Sequence, residues 1–371
     1  MNKKKILILV LSIIVLILIF IGIGKLIYNH GLNKEKNASV EGTIHGVVLN
    51  ENLILYKKPG KNFFFGEVPI KQGDSAYIFE KVDKKGEAWY KVKCNDRIGY
   101  ILVDNVGTYE FNDKLENTLM SDVSKFDVIG ERFLSEGGFE RFIVNNNINY
   151  VYIRAGGRGY GDEGNMYYDP NYEMYINACE YLKVPYGFYY LDEALNEEEV
   201  KEEVEFMKDF INKNGKEYNL LPVAIDMEYK DGKGRCDSEE ELAHRSEIAS
   251  MLTEAFKNEN IDTIIYSNAL YAARYLNDVD TVFWVANYPG DNKIPNEWMD
   301  LSKYIAPEGE EEGGEVEDSN EKTIAQEKIQ AIVDKSFIWQ FTHTGAKEDG
   351  ITFKLDLSLV KDNYLMKYMT K

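Results

Sequence analysis

Apolar residues follow three different rhythms along this chain. From Ile6 to Gly24, "ILILVLSIIVLILIFIGIG" runs without a charge, and about 20 consecutive apolar residues are what a membrane-spanning helix needs. Between residues 43 and 107 short apolar runs are broken by "KKPGKN", "IKQGDS", "DKKGEA" and "CNDRIG". Short strands between dense turn signals predict a small all-β barrel. From 118 to 371 the rhythm changes again, with "TLMSDVS", "YVYIRAG", "YGFYYLD", "PVAIDME", "DTIIYSN", "VFWVANY", "FIWQFTH" and "FKLDLSL" as candidate strands. Helical segments alternate with them, which predicts β/α units.

Two of the helices carry their own start signals. Asn196 with Glu199 three residues on, followed by Val200, Val204, Met207 and Ile211 on one stripe, predicts an amphipathic helix. Ser238 and Glu241 open the next one in the same way. The seventh and eighth strands lie too close together for a helix between them. The expected fold is therefore an α/β protein, a TIM-like β/α barrel irregular in its last third. Residues 25–42 and 108–117 read as linkers. The stretch 307–322, "PEGEEEGGEVEDSNEK", is acidic and nearly devoid of apolar residues, so it reads as a solvated insertion.

Charge and rare residues narrow the chemistry. With 63 acidic and 43 basic residues the net charge is −20, which argues against a nucleic-acid partner. Such a chain also has no electrostatic reason to approach an anionic membrane, so the apolar segment 6–24 is what would hold it there. Lys3, Lys4 and Lys5 precede that segment and its other flank is mixed (Lys25, Lys34, Glu35, Lys36). The positive-inside bias therefore puts residues 1–5 in the cytoplasm and everything after the helix outside. A cleaved signal peptide would carry a shorter apolar core and an A-x-A-like site. Cys94, Cys179 and Cys236 form no C-x-x-C, and His30, His45, His244 and His343 form neither H-x-H nor H-E-x-x-H. Neither a metal nor any other cofactor is expected.

The candidate strands from 118 onward share one feature: each ends in a polar or ionisable residue. These are Asp122, Arg154, Asp192, Asp226 with Glu228, Asn268, Asn287, Gln340 and Asp356. In a β/α barrel the C-terminal strand ends surround the active site. A ring of such groups is what an active-site mouth needs. Side chains alternate along a strand, so Asp226 and Glu228 share one face with Ala224. Clustered carboxylates raise one another's pKa, which lets one hold a proton while another stays charged. Glycoside hydrolysis requires that division. Tyr189, Tyr190, Tyr266, Trp284, Tyr288 and Trp339 are candidates to line a sugar site, or simply to pack. The glycine cluster "GGRGYGDEG" lacks the Lys-Ser/Thr ending of a phosphate loop and reads as a flexible rim.

Two resemblances add to this reading. The Lys-Pro-Gly turn, the "WYKV" of Trp89 to Val92 and the closing "GYI" of Gly99 to Ile101 resemble a bacterial SH3-like domain. That resemblance implies binding of wall polymers for 43–107; a stalk is the alternative. The region 118–371 resembles the family 25 glycoside hydrolases through "SDVSKF", "YVYIRAG", "VPYGFYY", "LPVAIDME", "IIYSN", "VFWVANY", "FIWQFT" and "KLDLS", in that order. The resemblance implies an N-acetylmuramidase that cleaves the β-1,4 bond between N-acetylmuramic acid and N-acetylglucosamine. It implies Glu228 as the general acid, Asp226 as its partner carboxylate and Asp122 at the base of the site. Tyr189 and Asp356 match pocket-lining positions. Arg154, Asp192, Asn268, Asn287, Tyr288 and Gln340 complete the expected substrate-binding set from the strand ends and the residues beside them. The sequence departs from the family pattern at "YYLDEA", at Phe126 in place of a common tryptophan, and at the acidic insertion.

Carboxylates two residues apart on a strand are separated by about 6.5–7 Å at Cα. That spacing leaves retention, inversion and a substrate-assisted route all open; the substrate's N-acetyl group makes the assisted route the preferred one, with Asp226 orienting it. The expected partners are peptidoglycan strands, the cell membrane through 6–24, and a wall-spanning assembly for which the enzyme would open the wall. A non-catalytic wall-binding protein that keeps the barrel is the alternative.

Overall fold

The computed structural model describes residues 3–60, 68–111, 117–127, 137–230, 232–290, 293–305, 323–343, 347–348, 351–352, 355–362 and 364–369. The acidic stretch 307–322 lies outside them. The chain divides into two compact units, Met1–Thr108 and Tyr109–Lys371.

The first unit begins with a helix, Lys3–Lys36. Within Ile13–Lys36 an 18-residue window reaches a mean hydropathy of 2.1 with none of it buried, and the helix is long and apolar enough to cross a membrane. Residues 25–36, expected as linker, continue this helix because nothing in "KLIYNHGLNKEK" breaks it; no proline interrupts the turn-to-turn bonds. Strands β1 (Ile44–Val48), β2 (Leu53–Leu55), β3 (Val68–Ile70), β4 (Ser75–Lys84), β5 (Glu87–Cys94), β6 (Arg97–Leu102) and β7 (Val106–Thr108) follow. They build an antiparallel sheet of order β6-β5-β4-β1-β7 beside the β2-β3 pair. Val48, Leu55, Ile70, Ile78, Val92 and Ile101 close its core.

The second unit is a closed barrel. Its eight staves are β8 (Asn117–Val123), β9 (Ile148–Arg158), β11 (Tyr186–Leu191), β12 (Val223–Asp226), β13 (Thr263–Asn268), β14 (Phe283–Ala286), β15 (Ser336–Thr342) and β18 (Asp356–Lys361). Strand β10 (Met166–Tyr168) forms a hairpin on β9, and β16 (Lys347–Glu348) pairs with β17 (Ile351–Thr352). Neighbouring staves from β8 to β15 run parallel. Strand β18 runs antiparallel to both β15 and β8 and closes the ring. Among the described residues the β15–β18 connection holds the β16–β17 hairpin rather than the helix that a parallel crossover usually carries.

Period-two alternation sorts the barrel into two layers. Met120, Tyr150, Tyr152, Ala224, Ile264, Trp284, Ile338 and Val360 fill the interior. The opposite parity, including Val151, Ile153, Phe188, Ile225, Ile265, Val285 and Phe341, packs outward against the helices. Among those helices, Glu197–Asn214 is capped by Asn196, whose side chain accepts from the Glu198 and Glu199 amides at 3.1 and 3.0 Å. Helix Glu239–Asn258 is capped by Ser238, which accepts from the Glu241 amide at 3.2 Å.

Candidate active site

The inward parity of the parallel staves other than β15, followed to their C-terminal ends, and of antiparallel β18, followed to its N-terminal end, arrives at one cavity of about 400 Å³. Asp122 ends the row that begins at Met120, and Asp226 the row that passes through Ala224. Glu228 lies two residues past the end of β12 and lines the same cavity. Asp356 sits directly opposite Asp122 in the β18–β8 register. Arg154, Tyr189, Tyr266 and Trp284 complete the inner wall, while Lys125, Phe126, Tyr160 and Tyr167 come from the segments after β8 and around β10.

A shift in the β9–β11 register between Arg154 and Gly156 leaves Ala155 unpaired. Such a bulge re-aims the neighbouring side chain. Arg154 is thus a mid-strand residue: β9 continues to Arg158, and "GGR", expected as flexible rim, is strand. The Arg154 guanidinium donates to the Tyr167 hydroxyl at 2.7 Å and to the Gly156 carbonyl at 3.3 Å. It also lies 5.6 Å from the ring centre of Phe126, which remains 69% exposed.

Burial gives the carboxylates unequal proton affinities. Asp226 is pushed up to about 7, first by burial; Glu228 beside it raises it further, while Lys230 and Arg154 oppose. Its Oδ1 is buried without a hydrogen-bond partner among the described residues. Asp356 is also raised to about 7, by burial and then by Asp127. Asp122 is held well above the usual carboxylate range, by burial first and by Asp356 second. Glu228, 28% exposed, forms an ion pair with Lys230. Asp226 is thus the deeply buried member of the pair, raised by that burial, and Glu228 the member in contact with the Lys230 ammonium.

The structure brings Asp122, Arg154, Tyr189, Asp226, Glu228 and Asp356 together. Gln340 stands behind them. Its Nε2 donates to Asp122 at 3.1 Å, and its Oε1 accepts from Tyr266 and Tyr288 at 2.8 and 2.7 Å. Its side-chain amide is thus occupied by protein groups, and Tyr288 reaches the rim through it.

Three expected site residues lie elsewhere. Asp192 shares the parity of Tyr190 and faces outward, where it forms a buried ion pair with Arg245. Asn268 caps the next helical turn, accepting from the Tyr271 amide at 2.9 Å. Asn287 has the outward parity of β14; its carbonyl accepts from Trp339 at 2.6 Å and its side chain from Tyr304 at 3.2 Å. Tyr190 and Trp339 likewise pack outward. The sequence reading missed Lys230, Lys125, Asp127, Tyr160 and Tyr167. Lys230 had a signal, since Asp226, Glu228 and Lys230 keep the period of two; the others arrive from connecting segments.

A barrel with a cluster of unequal carboxylates at its C-terminal mouth has the makings of a glycoside hydrolase. Residues 122–305 match the family described as glycosyl hydrolases family 25. That match spans 184 of the chain's 371 residues, so the barrel segment is similar to the family 25 glycosyl hydrolases. No curated protein matches it. Among solved structures, it is similar to the modular autolysin LytC from Streptococcus pneumoniae (16% identity, 78% of this chain, TM-score 0.42), and spans 57% of that chain's length. It is also similar to the spore cortex lytic enzyme SleM of Clostridium perfringens (17% identity, 68% of this chain and 69% of that one, TM-score 0.45). The bacterial lysozyme from Streptomyces coelicolor is a third (14% identity, 70% and 97%, TM-score 0.43).

Proposed function

We propose that this protein is a membrane-anchored peptidoglycan hydrolase that cleaves the β-1,4 bond between N-acetylmuramic acid and N-acetylglucosamine. The observation that carries the proposal is the convergence of Asp122, Asp226, Glu228 and Asp356 on one cavity. Glu228, the more exposed member of the Asp226–Glu228 pair, protonates the leaving oxygen. Asp226, buried with one oxygen unpartnered among the described residues, receives the N–H of the substrate's acetamido group, whose carbonyl oxygen attacks the anomeric carbon. Asp122 and Asp356 share charge at the floor, and Tyr189, Tyr266 and Arg154 contact the sugar. The family match supports this reading.

The helix Lys3–Lys36 is the tether, with the lysines at its start in the cytoplasm and the barrel on the wall side. The β-sheet unit acts as an SH3-like module toward the wall. A tethered muramidase of this kind remodels the wall locally, in the manner needed to pass a larger assembly through it.

Incubating the full-length chain in detergent micelles with purified peptidoglycan tests the activity. New reducing ends are expected for the wild type and not for Glu228→Gln. Binding to the wall with no saccharide released would mean that the barrel is a binding module instead.

A further inference from the structure

Charge and chemistry conflict at Glu228. A general acid must carry a proton, yet Glu228 is ion-paired with the Lys230 ammonium, whose side chain is only 18% exposed. An adjacent cation favours the ionised carboxylate. The Lys230 amide donates to both oxygens of Asp237 at 3.1 and 3.2 Å. The other cations differ. Arg158 is engaged by Glu203 at 2.8 Å, Glu202 at 3.1 Å and the carbonyls of Glu199 and Gly164 at 2.9 and 2.8 Å. Arg154 is held by Tyr167 and Gly156, and the Lys125 ammonium lies 4.9 and 5.5 Å from the ring centres of Phe126 and Tyr167. Lys230 is the cation that contacts the acid directly.

We infer that Lys230 is a specificity-determining residue that lets a carboxylate on the substrate arm the acid. This rests on the muramidase reading. In the free enzyme Glu228 neutralises the ammonium. A substrate carboxylate beside the scissile bond takes the ammonium over, and the proton on Asp226 then passes to Glu228. One O–H bond breaks on Asp226 and one forms on Glu228, with no net exchange with solvent. The result is a protonated Glu228 beside an ionised Asp226, the pairing the proposed mechanism needs. The groups facing Lys230 are Glu228, Asp226, Tyr160 and Tyr167. Those facing Glu228 are Lys230, Asp226, Asp356, Tyr266 and Tyr288. None of the tyrosines ionises near neutrality, so the transfer runs between the two acids.

Two parts of peptidoglycan offer such a carboxylate: the lactyl group of a muramoyl residue that bears no peptide, and the glutamyl residue of the stem peptide. In the first case the supplying reaction is an amide hydrolysis that strips the stem. The test uses the full-length chain in detergent and three wall tetrasaccharides, one with the free lactyl carboxylate, one with it reduced to the alcohol, and one with the lactyl carboxyl amidated to a stem peptide. Wild type should show kcat/KM and calorimetric affinity about tenfold or more higher for a carboxylate-bearing form than for the reduced one, the scale of a lost charge-assisted contact. Preference for the first form alone identifies the lactyl group, and preference extending to the third identifies the stem.

Lys230→Met should treat all three within about twofold, while Lys230→Arg keeps the preference and covers a Lys230→Met chain that does not fold. Equal handling of the three by wild type, or a preference that survives in Lys230→Met, overturns the inference. If wild type cleaves none of them the muramidase reading fails, and the binding comparison still decides whether Lys230 receives a carboxylate.

Discussion

Asp356 and Asp226 bind protons more tightly in the folded chain than in the unfolded one, and the consequence for stability has a definite sign. Both are raised to about 7 by burial, against about 3.9 for an unperturbed aspartate. Between about pH 4 and 7 the folded state therefore holds more protons, so their contribution to stability falls as pH rises through that window. Asp356→Asn should raise the melting temperature at pH 8, by on the order of 1–3 kcal/mol in stability, with the gain vanishing near pH 4. A gain that is the same at both pH values would remove the buried-charge explanation. Glu228→Gln should lower turnover by about 10²–10⁴-fold, the usual worth of a positioned acid, with little change in melting temperature. Because Glu228 is partly exposed and ends no helix, a large loss of stability in that variant would argue that it serves the fold instead.

At the scale of elements, the β9–β10 hairpin and the helix caps carry separate tests. A Cβ at Gly156 would lie 1.8 Å from the Tyr167 carbonyl oxygen, a backbone atom that cannot step aside. Gly156→Ala should therefore open the hairpin that carries Tyr167, costing roughly 2 kcal/mol or more and loosening Arg154. Weakened substrate binding with Glu228 untouched is the expected kinetic signature. Asn196→Ala removes the acceptor for two helix amides and should cost about 1 kcal/mol without affecting turnover, measurable by urea unfolding. Both caps and the apolar stripe were legible in the sequence, because a cap is a local arrangement of a few residues. The fate of Asp192 was not. Its place right after a strand looked like a site position, but the strand's parity aims it at Arg245, a residue on a helix 53 positions away. Nothing local announces that partner.

For the whole molecule, the helix Lys3–Lys36 and the barrel make one prediction together. If the helix spans a bilayer, the full-length chain should float with lipid vesicles in high salt and leave only with detergent. Release by salt alone would show that charge holds it there. The net charge of −20 makes that outcome unexpected.

The sequence by itself determined what depends on neighbours along the chain. The apolar helix, the strand-and-helix alternation, the capped helices and the shared face of Asp226 and Glu228 all follow from local periodicity. So does the irregular end of the barrel, since the chain between β15 and β18 leaves little room for the helix of a usual crossover. The tertiary structure alone decided what depends on burial and on distant partners. It set Asp356 against Asp122, tied up the Gln340 side chain behind Asp122, turned Asp192 and Asn287 outward, and put Lys230 on Glu228. Proton affinity follows from how deeply a carboxyl is buried and which charges face it, and neither is written in the order of residues.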